Sequence, residues 1–476
     1  MIDLGSFLNA DKSMIVAPAG YGKTHTIIEI LRMYNGPKKI LVLTHTHAGI
    51  ASIREKAKKE HVNPAKYTLD TISSFALYLT NAFLSCKEKM PQPEDAQYFP
   101  FAIAMATKLL RAKPIKHSLS CAYSHLIVDE YQDCTLLQHD FIIKLSEILK
   151  THLLGDPLQG IFDFNDTVNM DSIQQMDGFI DNIQKLDNPW RWKNKNELLG
   201  NELADIRKKI EQDECVDVSN YKSICFQKAT NASEIYDNNS DVYKRLASFI
   251  YKNKPVSLLI LVPHKHNVHP FAKRFQKQFG IKEINAFDDK WYYENSKAID
   301  ANAGKDFSTI MRNLLFDLFP KNIVSDWIND QNQLKKKRNV NDRGGFYKIM
   351  CELWSIPEKS NQWLVKVIKA FKQEYYRQCD VEKTNAILKA IQIADTKSIG
   401  VYDGMKQDRD IARRVGRKVY GRYVGTTLLT KGLEFDTVVV MNPNEFSNKK
   451  HLYVALSRAV RNLIIISTSK NISLNK

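Results

Sequence analysis

The 476-residue chain has no apolar run approaching the ~20 residues that a membrane helix requires. Its start, Met1-Ile2-Asp3-Leu4-Gly5, does not join a basic stretch to an apolar one, so no secretory signal is expected there. Cysteine is sparse: seven residues, at 86, 121, 134, 215, 225, 351 and 379, form no Cys-x-x-Cys. That spacing excludes the common zinc and iron–sulfur frameworks and fits reduced thiols in a cytoplasmic protein. No internal repeat or low-complexity segment stands out. Acidic residues are the scarcer charge, with Asp+Glu 53 against Lys+Arg 69, a formal net charge of +16. So basic a chain points to a polyanionic partner, most often nucleic acid. At about 150 residues per domain, the length allows about three domains, or two with insertions.

The chemistry begins near the N-terminus. Met14-Ile15-Val16-Ala17 is a short apolar run leading into Ala17-Pro18-Ala19-Gly20-Tyr21-Gly22-Lys23-Thr24. Ile27, Ile28, Ile30 and Leu31 follow at helical spacing. Strand, small-residue loop and helix together make a P-loop, with Ala17 in place of the first Gly. Small residues let backbone N–H groups surround phosphates, and the helix N-terminus adds positive potential. Lys23 is then placed to reach the β/γ-phosphates, and Thr24 to hold Mg²⁺. Downstream, the apolar run His125-Leu126-Ile127-Val128 ends in Asp129-Glu130. Such a pair at a strand end suits Mg²⁺ binding through Asp129 and positioning of the attacking water by Glu130. A third run, His152-Leu153-Leu154, closes on Gly155-Asp156-Pro157-Leu158-Gln159, where Gln159 can sense a γ-phosphate.

In this order along the chain, the sequence resembles superfamily 1 DNA helicases of the UvrD/Rep/PcrA type. The resemblance is carried by Leu43–Ala48, Thr71–Phe75, Asp129-Glu130-Tyr131-Gln132-Asp133, Gly155–Phe162, Asn188-Pro189-Trp190-Arg191, Thr426–Phe435 and Tyr453–Ala459. It implies two RecA-like P-loop cores with parallel sheets, an α/β fold, with reduced 1B and 2B helical insertions. It also implies ATP bound between the cores by residues 17–24, with Trp190 stacked on the base and Glu434 near the ribose. Arg191 and Arg458 match the family's γ-phosphate arginines. His45, Thr46, Ser74, Phe162 and Phe164 match positions that face DNA in the family; His45 stands where a Phe is usual. The Gln-containing adenine motif that precedes the family's P-loop has no counterpart, position 2 being Ile2, so the choice between ATP and GTP is left open.

The expected organisation is core 1A over residues 1–79 and 121–186, and a reduced 1B over 80–120. Core 2A is expected over 187–295 and 415–476, with a 2B-like helical insertion over 296–414. The helical stripe Trp363, Val367, Ala370 and Phe371 lies in that insertion. Residues 405–422 carry seven basic residues against two acidic ones just before the Thr426–Phe435 motif. Arg413, Arg414 and Arg417 in that run are expected to meet phosphates. The reading is a 3′→5′ DNA translocase on single-stranded or tailed duplex DNA, using ATP and Mg²⁺, with no membrane partner. The alternative is a nucleotide-gated DNA-binding regulatory subunit of a nuclease or anti-phage defence complex, without unwinding activity of its own, since the compact form resembles the helicase-like subunit of the Gabija anti-phage system.

Overall fold

The computed structural model describes all residues except 1, 84–88, 94, 163–165, 173, 238–239, 269–278, 285–288, 303–306, 337–344, 416–420 and 474–476. Side chains of residues 48, 265, 289 and 410–415 are also outside the description. The chain divides into two compact units. The first comprises Met1–Met90, Phe99–Ala286 and Arg414–Lys476; the second comprises Pro91–Tyr98 and Phe287–Arg413.

The first unit holds two six-stranded sheets, all of whose strand pairs are parallel. The strands of sheet one are β1 (Lys12–Val16), β2 (Lys39–Thr44), β3 (Tyr67–Thr71), β4 (Tyr123–Asp129), β5 (Lys150–Gly155) and β6 (Ile183–Lys185). They lie in the order β3-β2-β4-β5-β1-β6. Apolar runs such as Ile40–Leu43 and Leu126–Val128 are fully buried, as central strands covered on both faces must be. In register, Val16 lies opposite Gly155, and Thr44 opposite both Asp129 and Thr71. The P-loop and the polar groups after β2, β4 and β5 therefore share one edge, the C-terminal ends where open α/β sheets bind ligands.

Sheet two contains β7 (Ile224–Lys228), β8 (Leu258–Leu261), β9 (Lys282–Glu283), β10 (Arg422–Gly425), β11 (Phe435–Met441) and β12 (Ala459–Ser467). Their order is β9-β10-β8-β11-β12-β7. The fold is thus α/β with two RecA-like cores.

Residues 80–120, set apart in the sequence as an insertion, include helix Tyr98–Leu109 and lead into helix Lys113–Ala122. Ile103, Ala106, Leu110, Ile115 and Leu119 join Leu41, Leu43 and Phe75 in one apolar cluster of sheet one. Among the described residues, their apolar faces are buried by that core, with no separate core of their own.

The second unit is helical among its described residues. Trp363, Val367, Ala370 and Phe371 lie on helix Asn361–Glu374, buried with Leu314, Leu318, Ile387 and Ile391 from neighbouring helices. Helix Val401–Val415 is tied in by charge as well. Asp408 pairs with Arg409 at 2.8 Å and with Lys389 at 2.6 Å, and the Arg409 guanidinium lies 4.2 Å from the Tyr292 ring centroid. Among the described residues, no helix is long and apolar enough to cross a membrane.

Candidate nucleotide site between the two sheets

β1 runs into the loop Ala17–Gly22, which opens helix Lys23–Met33. Gly20 has φ +81° and Gly22 φ +99°, the left-handed region that glycine alone enters without strain. Space excludes a side chain too. A Cβ on Gly20 would lie 2.8 Å from the Trp192 ring, and one on Gly22 would lie 3.1 Å from Trp190. The loop is thus packed onto the Trp190–Trp192 turn. Ala17 N–H donates to the Gly155 carbonyl at 2.9 Å, Tyr21 N–H to the Pro18 carbonyl at 3.1 Å, and Arg191 N–H to the Gly20 carbonyl at 2.9 Å.

The acids of β4 face this loop. Lys23 Nζ donates to Glu130 Oε2 at 2.9 Å, and Gln132 Nε2 donates to the same oxygen at 2.6 Å. Glu130 has φ +55°, a strained value for this residue type that aims its carboxylate at the loop. Burial would lower the Lys23 pKa, but Glu130, Asp129 and Asp156 outweigh it and raise it. Burial would raise the Glu130 pKa, but Lys23 and Lys431 outweigh it and hold the carboxylate ionised. Asp129 goes the other way: burial and the Glu130 charge push its pKa up. A buried carboxyl group held above its ordinary range is one that a cation would return to the ionised form. Thr24, on the first turn of the helix, and Asp129 offer hard oxygen donors of the kind that suits Mg²⁺. No group of three or more His, Cys, Asp or Glu able to hold a metal occurs among the described residues. The remaining donors would have to be phosphate and water, the usual arrangement for Mg²⁺.

The second sheet supplies cations. Arg458, 1% exposed, precedes β12. Its Nη2 donates to Gln159 Oε1 at 3.1 Å and to Ser457 Oγ at 2.9 Å, and its Nε to the Val454 carbonyl at 2.9 Å. Burial and the like charge of Arg191 lower its pKa to about 10, leaving it protonated at neutral pH. Arg191 donates to the Ser457 carbonyl and, at 3.0 Å, to Glu434 Oε1, while its buried Nε has no partner among the described residues. Glu434 therefore sits beside an arginine. Trp190 is half exposed, with Lys193 Nζ 4.4 Å from its ring centroid.

Three contacts between the sheets escaped the sequence reading. Tyr453 Oη accepts the Ala19 N–H at 3.1 Å. Lys431 Nζ donates to Asp133 and to the Gln159 carbonyl. Arg207 on helix Glu197–Glu211 makes a two-pronged pair with Asp156 at 2.8 and 2.9 Å. Lys431 and Tyr453 lie within quoted motifs, which was a signal; Arg207 lies in none.

Of the residues expected to face DNA, His45 and Thr46 follow β2, and Ser74 lies just beyond β3, the strand paired with it. The half-buried His45 ring stands 5.8 Å from the half-buried Phe162 ring, and Lys431 Nζ is 5.2 Å from the latter. Burial, then Lys431, lowers the His45 pKa to about 4, so it is neutral near pH 7. Thr46 caps helix His47–Lys59, its hydroxyl accepting Gly49 N–H at 3.1 Å, a local role the motif did not disclose. Ser74 N–H donates to Thr71 Oγ1. Phe164 and Arg417, and the side chains of Arg413 and Arg414, lie outside the described residues. Within the 405–422 run, Arg409 is buried against Asp408, Lys406 pairs with Asp403 at 3.2 Å, and Arg422 donates to the Phe279 carbonyl.

Residues 4–165 match a family model described as an AAA domain. The chain is similar in structure to a crystal structure of Pif1 helicase from Candida albicans, at 13% identity and TM-score 0.42, covering 99% of this chain and 95% of that one. It is also similar to a structure titled the PRRSV helicase, at 10% identity and TM-score 0.35, covering 98% of this chain and 54% of that one. Among curated proteins, the comparison found no match.

Proposed function

We propose that the chain is an ATP-driven motor of the superfamily 1 type, acting on single-stranded or tailed duplex DNA. The observation that carries this reading is the Arg458–Gln159 contact, in which a buried arginine beside the second sheet meets the polar residue ending the first. Such an arginine stabilises charge developing on a transferred phosphoryl group and is worth ~10³–10⁵ in rate. Placed across a cleft, it ties hydrolysis to the relation of the two cores. Lys23 leaves Glu130 for the β/γ-phosphates, which frees the Glu130 carboxylate to orient the attacking water. Thr24 and Asp129 would hold Mg²⁺, which would neutralise phosphate charge. The orphaned Nε of Arg191 gains a phosphate partner. Phe162 beside Lys431 offers a ring and a cation for a base and its phosphate. The resemblance to UvrD-type motors carries 3′→5′ movement.

The test is ATP turnover with single-stranded DNA, together with streptavidin displacement from each DNA end. Lys23→Ala should remove most turnover in a folded protein; unchanged turnover rejects the nucleotide site. Clearance of the 5′ end alone supports the polarity, and clearance of the 3′ end alone reverses it. Active turnover with clearance of neither end favours the alternative, a nucleotide-gated regulatory subunit of a nuclease or anti-phage defence complex.

A further inference from the structure

Asp156 is fully buried, and its carboxylate accepts on every side. Oδ1 takes Leu158 N–H at 3.3 Å and Arg207 Nη2 at 2.8 Å; Oδ2 takes Gln159 Nε2 at 2.8 Å and Arg207 Nη1 at 2.9 Å. These bonds fill the roughly four acceptor positions of a carboxylate. An amide between an anion and a cation has one satisfactory orientation, its NH₂ toward the anion and its oxygen toward the cation. Asp156 therefore turns the Gln159 oxygen to Arg458. Asp156 N–H also donates to Gln132 Oε1 at 3.0 Å, and Gln132 Nε2 holds Glu130. One aspartate thus stands behind both the γ-phosphate sensor and the water-positioning acid.

What holds Asp156 comes from the other sheet's side. Arg207 lies on helix Glu197–Glu211, whose Leu199, Leu203, Ile206 and Ile210 pack in the second sheet's cluster. Its Nε binds Glu211 at 2.9 Å, and its guanidinium lies 4.9 Å from the centroid of Tyr453, the ring whose hydroxyl takes the P-loop Ala19 N–H. Asp156, Glu211 and Tyr453 thus fix the fork in place. An ammonium group could supply the charge here, though not two parallel donors with a stacking face.

We infer that Arg207 is a positioning residue for hydrolysis: through Asp156 it sets the Gln159 amide and the Gln132–Glu130 pair, so the second core controls the first core's chemistry by a route separate from Arg191 and Arg458. This rests on the reading of the chain as an ATP hydrolase. The test compares wild type, Arg207→Lys and the charge-free pair Arg207→Met/Asp156→Asn for DNA-stimulated ATP turnover and melting temperature. The double variant leaves no lone buried charge, so it keeps the test open if Arg207→Met alone does not fold. Both variants should lose about tenfold or more in kcat, with KM for ATP within about threefold, the pattern of an interaction felt only in the transition state. Wild-type kcat in a folded double variant would overturn the inference and leave Arg207 a structural tie. Wild-type kcat in Arg207→Lys would also overturn it. Absence of turnover in the wild-type protein would overturn the hydrolase reading itself, and the inference with it.

Discussion

The two sheets of the first unit are alike in backbone and differ in the ionisable groups they bury. Each has six parallel strands and a buried apolar middle. The strands of sheet one bury His152 and Asp129, and Asp156 directly follows β5. On the described strands of sheet two, the buried polar side chains are Thr437 and Ser467, which do not ionise at ordinary pH. The charges on its side come from turns and helices, as Arg191, Arg207, Lys431 and Arg458. Acids at the strand ends of one core face cations beside the other. Asp156 meets Arg207 and Asp133 meets Lys431, so groups from the two cores come together in one place.

The sharpest break of that comparison is to remove a cation. Arg458→Ala should lower single-turnover ATP hydrolysis by ~10³–10⁵ while nucleotide binding persists through the P-loop. Hydrolysis within about tenfold of wild type would make the second core a passive cover. A smaller effect is expected at Phe162. Phe162→Ala should weaken single-strand affinity by ~1–3 kcal/mol with KM for ATP unchanged, measured by fluorescence anisotropy on an oligo-dT. Unchanged affinity would assign the ring to packing against His45.

The last prediction concerns pH and sharpens the contrast between a sheet with a buried ionisable group and one without. Burial, then His125, lowers the His152 pKa from 6.5 to about 3. The unfolded chain therefore binds the extra proton first. His152's contribution to stability is complete above pH 6.5 and is lost as pH falls toward about 3. The slope approaches about 1.4 kcal/mol per pH unit within that window. His152→Phe, packed against Phe7, should flatten the fall between pH 7.5 and 5.5 in denaturant titrations. An equal slope in both proteins would place the pH sensitivity elsewhere.

Much of the first core was legible in local pattern. Strand runs, the glycines at 20 and 22 and the acids after Val128 are short-range signals. Neighbouring residues alone decide which backbone conformations they permit and which side chains emerge at a strand end. The 405–422 run shows where that reading stops. Of its seven basic residues, Arg409 is buried within the helical unit on Asp408 and Tyr292, while Arg417 and the side chains of Arg413 and Arg414, the ones expected to meet phosphates, lie outside the description. A charge count carries no information on burial. Thr46 is similar: its hydroxyl caps a helix, and a motif match cannot tell a cap from a ligand contact.

By itself, the sequence determined the P-loop, the strand ends that carry acids, the basic balance and the apolar stripes that had to be buried. Only the tertiary structure decided that Arg207 meets Asp156, 51 positions away, and that Tyr453 meets Ala19 across 434. The reason is that a hydrogen-bonded pair depends on direction and distance to within a few tenths of an ångström. Those quantities are set by how helices and sheets distant in the chain pack on one another, and no local pattern of residues encodes them.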